Sequence, residues 1–315
     1  MCVFEARATK LELPCSAVTR HEFLREIHKR YAPRSYLEIG VNKGESLALS
    51  RSPTIAIDPA YAITAEVSCD LALVRATSDD FFAANERLSR FPDGCVDLAF
   101  VDGLHLFEFA LRDFMNVECR SRWTSVVVFD DVLPRNVREA SRERGGMLAW
   151  TGDVFKMWDV LRRYRPELLT IPVDVTPTGV LVVLGADPTS RVLAERYNDI
   201  VAENVYPDPQ RVPEAVLRRE GAVDPRSFLD SQVWALLSEA RERGTTREEG
   251  WAGLRHTAES TGRRVPPRKL IPAQLRPSEF ASSRAAGERP PARQTRRGRA
   301  LRTARRHLRA LRRRH

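Results

Sequence analysis

Residues 36–46 read Tyr36-Leu37-Glu38-Ile39-Gly40-Val41-Asn42-Lys43-Gly44-Glu45-Ser46. A short apolar run carrying one acid ends in a glycine, and a second glycine follows four residues later. Such a stretch predicts a buried strand over Tyr36–Val41 that turns sharply into the next segment. A turn without Cβ atoms at Gly40 and Gly44 lets the backbone pass close to a ligand. The pattern is not G-x-G-x-x-G, so a pyrophosphate seat of the dinucleotide type is poorly matched.

Working outward, four more apolar runs have strand length: Thr54–Asp58, Leu73–Thr77, Val96–Asp102 and Ser125–Asp130. None alternates polar and apolar residues cleanly, as expected for strands covered on both faces of a parallel sheet. Helix-length segments separate them: Glu45–Ser50, Ala62–Cys69, Asp79–Ser89 and Leu106–Cys119. Two last runs, Leu168–Val175 and Gly179–Leu184, are joined by Thr176-Pro177-Thr178 and predict an antiparallel hairpin. The expected fold is therefore α/β, a doubly wound seven-stranded sheet closing with a C-terminal hairpin. Residues 1–34 form a lead-in with a helix at Arg20–Tyr31, residues 35–186 the sheet domain, and residues 187–243 an extension with helices at Arg191–Glu203 and Ser227–Arg243. From Gly244 the prolines multiply, and residues 244–315 read as a largely disordered basic tail.

Charge divides the chain the same way. Residues 261–315 hold 17 arginines, one lysine and two glutamates, a net +16, so the remaining 260 residues carry −7 of the overall +9. The tail's field would hold polyanions such as nucleic acid, without base stacking because no aromatic interrupts the arginines from Arg296 to Arg314. The five cysteines (Cys2, Cys15, Cys69, Cys95, Cys119) show no C-x-x-C spacing, and no apolar h-region opens the chain. A reducing, cytoplasmic setting is expected, without a disulfide scaffold or a zinc ribbon. No apolar run approaches the roughly 18 residues of a membrane span.

The chemistry gathers at strand ends. Asp58 closes the second strand, where a carboxylate accepts hydrogen bonds from ribose hydroxyls. Acid, glycine turn and acid suit a nucleoside with a cationic amino-acid portion. The fourth strand ends Val101-Asp102-Gly103-Leu104-His105 and the fifth Phe129-Asp130-Asp131. As neighbours about 4.8 Å apart, these strands would bring Asp102, Asp130 and Asp131 together. Three such carboxylates repel unless protonated or bridged by a cation. Hard oxygen ligands favour Mg²⁺, with Mn²⁺ or Ca²⁺ as alternatives. His105 is placed to accept a proton from a hydroxyl. The plainer reading makes Asp130-Asp131 a helix cap and Asp102-Gly103 an ordinary turn. Trp150-Thr151-Gly152-Asp153 reads as a loop whose Asp153 caps the next helix; the alternative is a lid, with Lys156 pairing an anionic group.

Through Glu38-Ile39-Gly40 and Asp58-Pro59 the chain resembles class I S-adenosylmethionine-dependent methyltransferases, with their Rossmann-like fold, over roughly residues 20–186. The resemblance implies that Glu38 and Gly40 border the methionine portion, that Asp58 holds the ribose, and that Ser78 and Asp79 lie near the adenine. D-G-x-H followed by an acidic pair is similar to the metal-dependent O-methyltransferases of macrolide sugars and a related cephamycin-biosynthesis group. That likeness implies metal ligands at Asp102, Asp130 and Asp131 and a base at His105. The macrolide enzymes carry Glu-Asp where this chain has Asp130-Asp131. The expected activity is O-methylation of a sugar or small natural-product hydroxyl, with S-adenosylmethionine and a divalent ion as cofactors, a small-molecule or glycan acceptor as partner, and a homo-oligomer possible. The competing readings are a non-catalytic scaffold binding a polyanion through residues 261–315, and a metal-assisted hydrolase or oxygenase.

Overall fold

The structure, a computed structural model, describes residues 18–84, 87–145, 149–271 and 274–275. All lie within one compact unit, residues 1–277. Expectations for residues 1–17 and 276–315, most of the basic tail among them, lie outside the described residues.

The order is α1 (Arg20–Tyr31), β1 (Tyr36–Ile39), β2 (Thr54–Ile57), β3 (Leu71–Val74), α2 (Ser78–Ala83), β4 (Val96–Val101), α3 (Phe107–Glu118), β5 (Ser121–Asp130), α4 (Lys156–Tyr164), β6 (Leu169–Val173) and β7 (Val180–Leu184). Five helices follow: α5 (Val192–Asn204), α6 (Glu214–Leu217), α7 (Pro225–Leu229), α8 (Val233–Arg243) and α9 (Arg247–Ser260). The seven strands form one sheet in the order β3-β2-β1-β4-β5-β7-β6. The first five run parallel, and β7 pairs antiparallel with both β5 and β6. This is the Rossmann-like doubly wound sheet with its terminal hairpin.

The unbroken apolar strands are explained by two cores. Val96, Ala99 and Val101 of β4, with Val127 and Phe129 of β5, pack on one face beneath Phe114 of α3 and Met157 of α4. Leu98, Phe100, Val126 and Val128 point the other way, onto Phe23, Leu24 and Ile27 of α1 and Trp234 and Leu237 of α8. With both faces covered, every position along β4 is buried. Each such large side chain contributes about 1.5–3 kcal/mol through burial.

Several expected elements differ. Residues 62–69 form no helix, and only a short 3₁₀ turn, Leu47–Leu49, lies within 45–50. The strand expected at Leu73–Thr77 starts two residues earlier, freeing Thr77 to cap α2 by accepting from Asp80 N at 3.1 Å. The helix expected over Ser227–Arg243 is two helices, α7 and α8. The largest correction lies beyond 244. Thr246 and Glu249 make a reciprocal capping box that starts α9, and Leu254 and Ala258 are buried in the core shared with α1. No helix of the described residues is long and apolar enough to cross a membrane.

Candidate active site

The carboxyl ends of β1, β2, β4 and β5 form the edge where the predicted residues fall. Gly40 (φ +90°) and Gly44 (φ +82°) both adopt the left-handed region expected of a turn glycine. Between them, Val41 N and Asn42 N donate to Asp58 Oδ2 at 2.9 and 2.8 Å, and Ala60 N donates to Oδ1 at 2.5 Å. Asp58 therefore holds the glycine turn itself, a task beyond the ribose contact expected of it. Glu38 is wholly buried and accepts from Tyr36 Oη and Ser46 Oγ, each at 2.7 Å. Burial pushes its pKa up to about 8 against those two hydrogen bonds, so near neutrality it is largely a protonated acid. Asp79 pairs with Arg112 at 2.8 Å, and Ser78 bonds Asp113 on α3.

At the other half of the edge, Val101 pairs with Phe129, which brings the residues that follow them side by side. His105 (φ +58°) and Asp131 (φ +63°) both lie in the left-handed region although neither is glycine. Such backbone persists where surrounding contacts over-determine it. His105 Nε2 lies 3.1 Å from Asp102 Oδ1, and Nδ1 lies 2.9 Å from Asp131 Oδ2 and 2.9 Å from the Trp150 carbonyl. The Trp150 ring stacks on the imidazole, centroids 5.0 Å apart and planes 7° from parallel. Gly152 supports this approach, because a Cβ there would meet the His105 carbonyl oxygen at 1.7 Å. Thr178, from the hairpin connection, donates to Asp131 Oδ1 at 2.5 Å.

The electrostatics follow from these contacts. Burial works against a charged His105, but the flanking Asp102 and Asp131 outweigh it and hold the imidazole protonated well above its ordinary range. Burial alone would push Asp131 up, yet His105, Thr178 and the Arg20 charge bring it below the usual carboxylate value. Asp130 goes the other way, driven up by burial and by Asp131 and Asp102, with Arg20 opposing.

Of the predicted metal trio, Asp102 and Asp131 group with His105. One ligand atom each from Asp102, His105 and Asp131 lie within 4.8 Å of one another, close enough to share a cation. Asp130 lies outside that group, hydrogen-bonded by Arg20 Nη1. Asp102, His105, Asp130 and Asp131 still line one cleft, together with Asp113, Leu104 and Val154.

Sequence reasoning missed Arg20 and Thr178, because each meets its partner from a distant part of the chain. It also misassigned Asp153. That residue caps α3 by accepting from Phe107 N at 2.8 Å, whereas α4 begins with no side-chain cap. Lys156 meets an anion inside the protein, binding Asp153 Oδ2 at 2.8 Å and Gln210 Oε1 at 2.6 Å.

Residues 37–132 match a family model described as a methyltransferase domain. The matched segment runs from the second residue of β1 to just past Asp131, so both halves of the strand edge fall within it. Among solved structures, this chain is similar to the O-methyltransferase TomG from Streptomyces achromogenes, involved in tomaymycin synthesis and solved with S-adenosylmethionine. They share 19% identity over 56% of this chain and 84% of that one, TM-score 0.41. An O-methyltransferase from Bacillus cereus, solved with S-adenosylhomocysteine, shares 16% identity over 55% of this chain and 84% of its own, TM-score 0.39. MycE of the mycinamycin biosynthetic pathway, solved with Mg and S-adenosylhomocysteine, shares 13% over 53% of this chain and 55% of its own, TM-score 0.35. No curated protein sequence matches the chain.

Proposed function

We propose that this methyltransferase moves the methyl group of S-adenosylmethionine to a hydroxyl of a small molecule or glycan, assisted by a divalent ion. The observation that carries the reading is His105 held between Asp102 and Asp131, one strand away from the glycine turn of residues 40–44.

Glu38 lies in β1, Asp58 follows β2, and Ser78 and Asp79 open α2 after β3; these are the residues that would hold the nucleoside and its amino-acid portion. A largely protonated Glu38 can donate to a carboxylate as well as accept from an ammonium. Asp102 and Asp131 supply the oxygen ligands that a hard cation such as Mg²⁺ takes, and the spacing lets His105 join them once it has released a proton. S-Adenosylmethionine would supply the electrophilic methyl, and the ion would make an acceptor hydroxyl more acidic.

The chain's own residues handle position and protons. With carboxylates at both ring nitrogens, His105 rests as an imidazolium; once it has released a proton, its freed nitrogen serves either the ion or the proton of an acceptor hydroxyl, not both. Trp150 fixes its plane, while Thr178 fixes the far carboxylate. Half-exposed Leu104 and the Trp150 ring offer the acceptor an apolar wall beside these polar groups.

Calorimetry with S-adenosylhomocysteine should give a binding isotherm, and transfer of labelled methyl to hydroxyl acceptors should stop with a chelator and resume with Mg²⁺. Absence of binding heat at high protein concentration would remove the reading, and transfer indifferent to chelation would remove its metal component.

A further inference from the structure

Arg20 opens α1, outside the segment matched to the methyltransferase domain. Its root is fixed on both sides. Thr19 caps the helix through a reciprocal box with Glu22, and Arg20 N donates to the Thr176 carbonyl at 3.1 Å while Thr176 N donates to Val18 O at 2.9 Å. The guanidinium therefore reaches the strand edge from a pinned backbone. There Nη1 hydrogen-bonds Asp130 Oδ2 and stands 3.6 Å from Asp102 Oδ2. The Asp130 carboxyl is 1% exposed, and its other oxygen is buried without a hydrogen-bond partner while the residue lines the cleft. A third acid is thus present at the cation site, with one oxygen held by Arg20 and the other without a hydrogen-bond partner.

We propose that Arg20 sets the composition of the cation site: it withholds Asp130, so that a divalent ion is held by Asp102, His105 and Asp131 alone. This inference rests on the cation site of the proposed function. A fixed positive charge beside the ligands also lowers their attraction for a second cation. Three protein ligands instead of four leave more of an octahedral shell for water and for the acceptor oxygen, as catalytic sites require and closed structural sites do not. An arginine suits the task, since it stays charged at any working pH and its planar fork matches a carboxylate.

The test is Mn²⁺ binding to the full chain, followed by electron paramagnetic resonance of free Mn²⁺, with thermal melts confirming that each variant folds. Arg20→Gln should tighten binding about tenfold or more, and Arg20→Gln/Asp130→Asn should return it toward the wild-type value. Arg20→Lys, which keeps the charge, should remain near wild type. Asp102→Asn should lose binding, whereas Asp130→Asn alone should retain it. The inference is overturned if Arg20→Gln binds no tighter than wild type, or if Asp130→Asn loses Mn²⁺ as fully as Asp102→Asn does. Binding by Arg20→Gln with none by wild type supports it. If no variant binds Mn²⁺ at all, the cation site itself falls and this inference with it, a result distinct from binding that ignores residue 20.

Discussion

Gly40 and Asp102 are in backbone contact: a Cβ added to Gly40 would lie 1.9 Å from the Asp102 carbonyl oxygen. The end of β1, where the glycine turn begins, and the end of β4, where the acids begin, are thereby one piece of structure. Gly40→Ala would meet both a left-handed φ of +90° and this overlap. It should cost roughly 2–5 kcal/mol of stability. S-adenosylhomocysteine and Mn²⁺ affinities should weaken together, by calorimetry. Loss of one with the other intact would show that the two halves are separable.

Asp113 gives the fold a pH dependence. Burial raises its pKa to about 7, with the Ser78 hydrogen bond opposing. A carboxyl whose folded pKa lies above its unfolded value of about 3.9 binds its proton more tightly in the native state. Its stabilisation is complete below about pH 4 and is lost as pH rises through 7. Asp113→Asn should therefore add a few kcal/mol of stability at pH 8, at about 1.4 kcal/mol per tenfold change in proton affinity, seen as a higher melting temperature, and leave pH 4 nearly unchanged. Equal shifts at both pH values would contradict this.

Trp150→Leu keeps the carbonyl that faces His105 and removes the ring that stacks on it. Stacking of this kind is worth about 0.5–1.5 kcal/mol, so the rate of methyl transfer should fall up to about tenfold. Affinity for S-adenosylhomocysteine should not change, because Trp150 lies on the half of the edge that carries His105. Parallel measurement of kcat and Kd separates the two.

Lys156 is 5% exposed and satisfied by Asp153, Gln210 and the Asn204 carbonyl. Replacing it with methionine leaves the Gln210 oxygen without this donor and Arg142 as the cation facing Asp153. Unfolding in urea should show a loss of about 3 kcal/mol. An unchanged midpoint would mean that Arg142 alone suffices.

The sheet was legible because burial on two faces leaves a signature within each strand: β4 and β5 are apolar at consecutive positions, which no half-exposed strand tolerates. The strand-end residues were legible for the same reason, since a charge at the end of such a run has to face the edge. What escaped was whatever depends on meeting a distant partner. Arg20 lies 110 residues from Asp130, and nothing in its own surroundings marks it. Asp153 sits just before α4 in the chain, yet it closes the start of α3 instead. Helix α9 was hidden differently. Gly250 and Gly253 weaken its propensity, and the signal that would have revealed it, Thr246 three residues ahead of Glu249, was overlooked beside the prolines that follow.

That helix decides where the protein can be shortened. Trp251 packs edge-on against Trp123 and covers Gly185, where even a methyl group would collide with its ring at 2.3 Å. Farther on, Arg264 bridges to Val223, and Arg268 reaches the buried Asp174 at 2.7 Å. A version ending at residue 243, chosen by composition to discard the arginine-rich end, would uncover the outer sheet and promote clumping. One ending at residue 275 keeps all of these attachments while still shedding most of the positive charge.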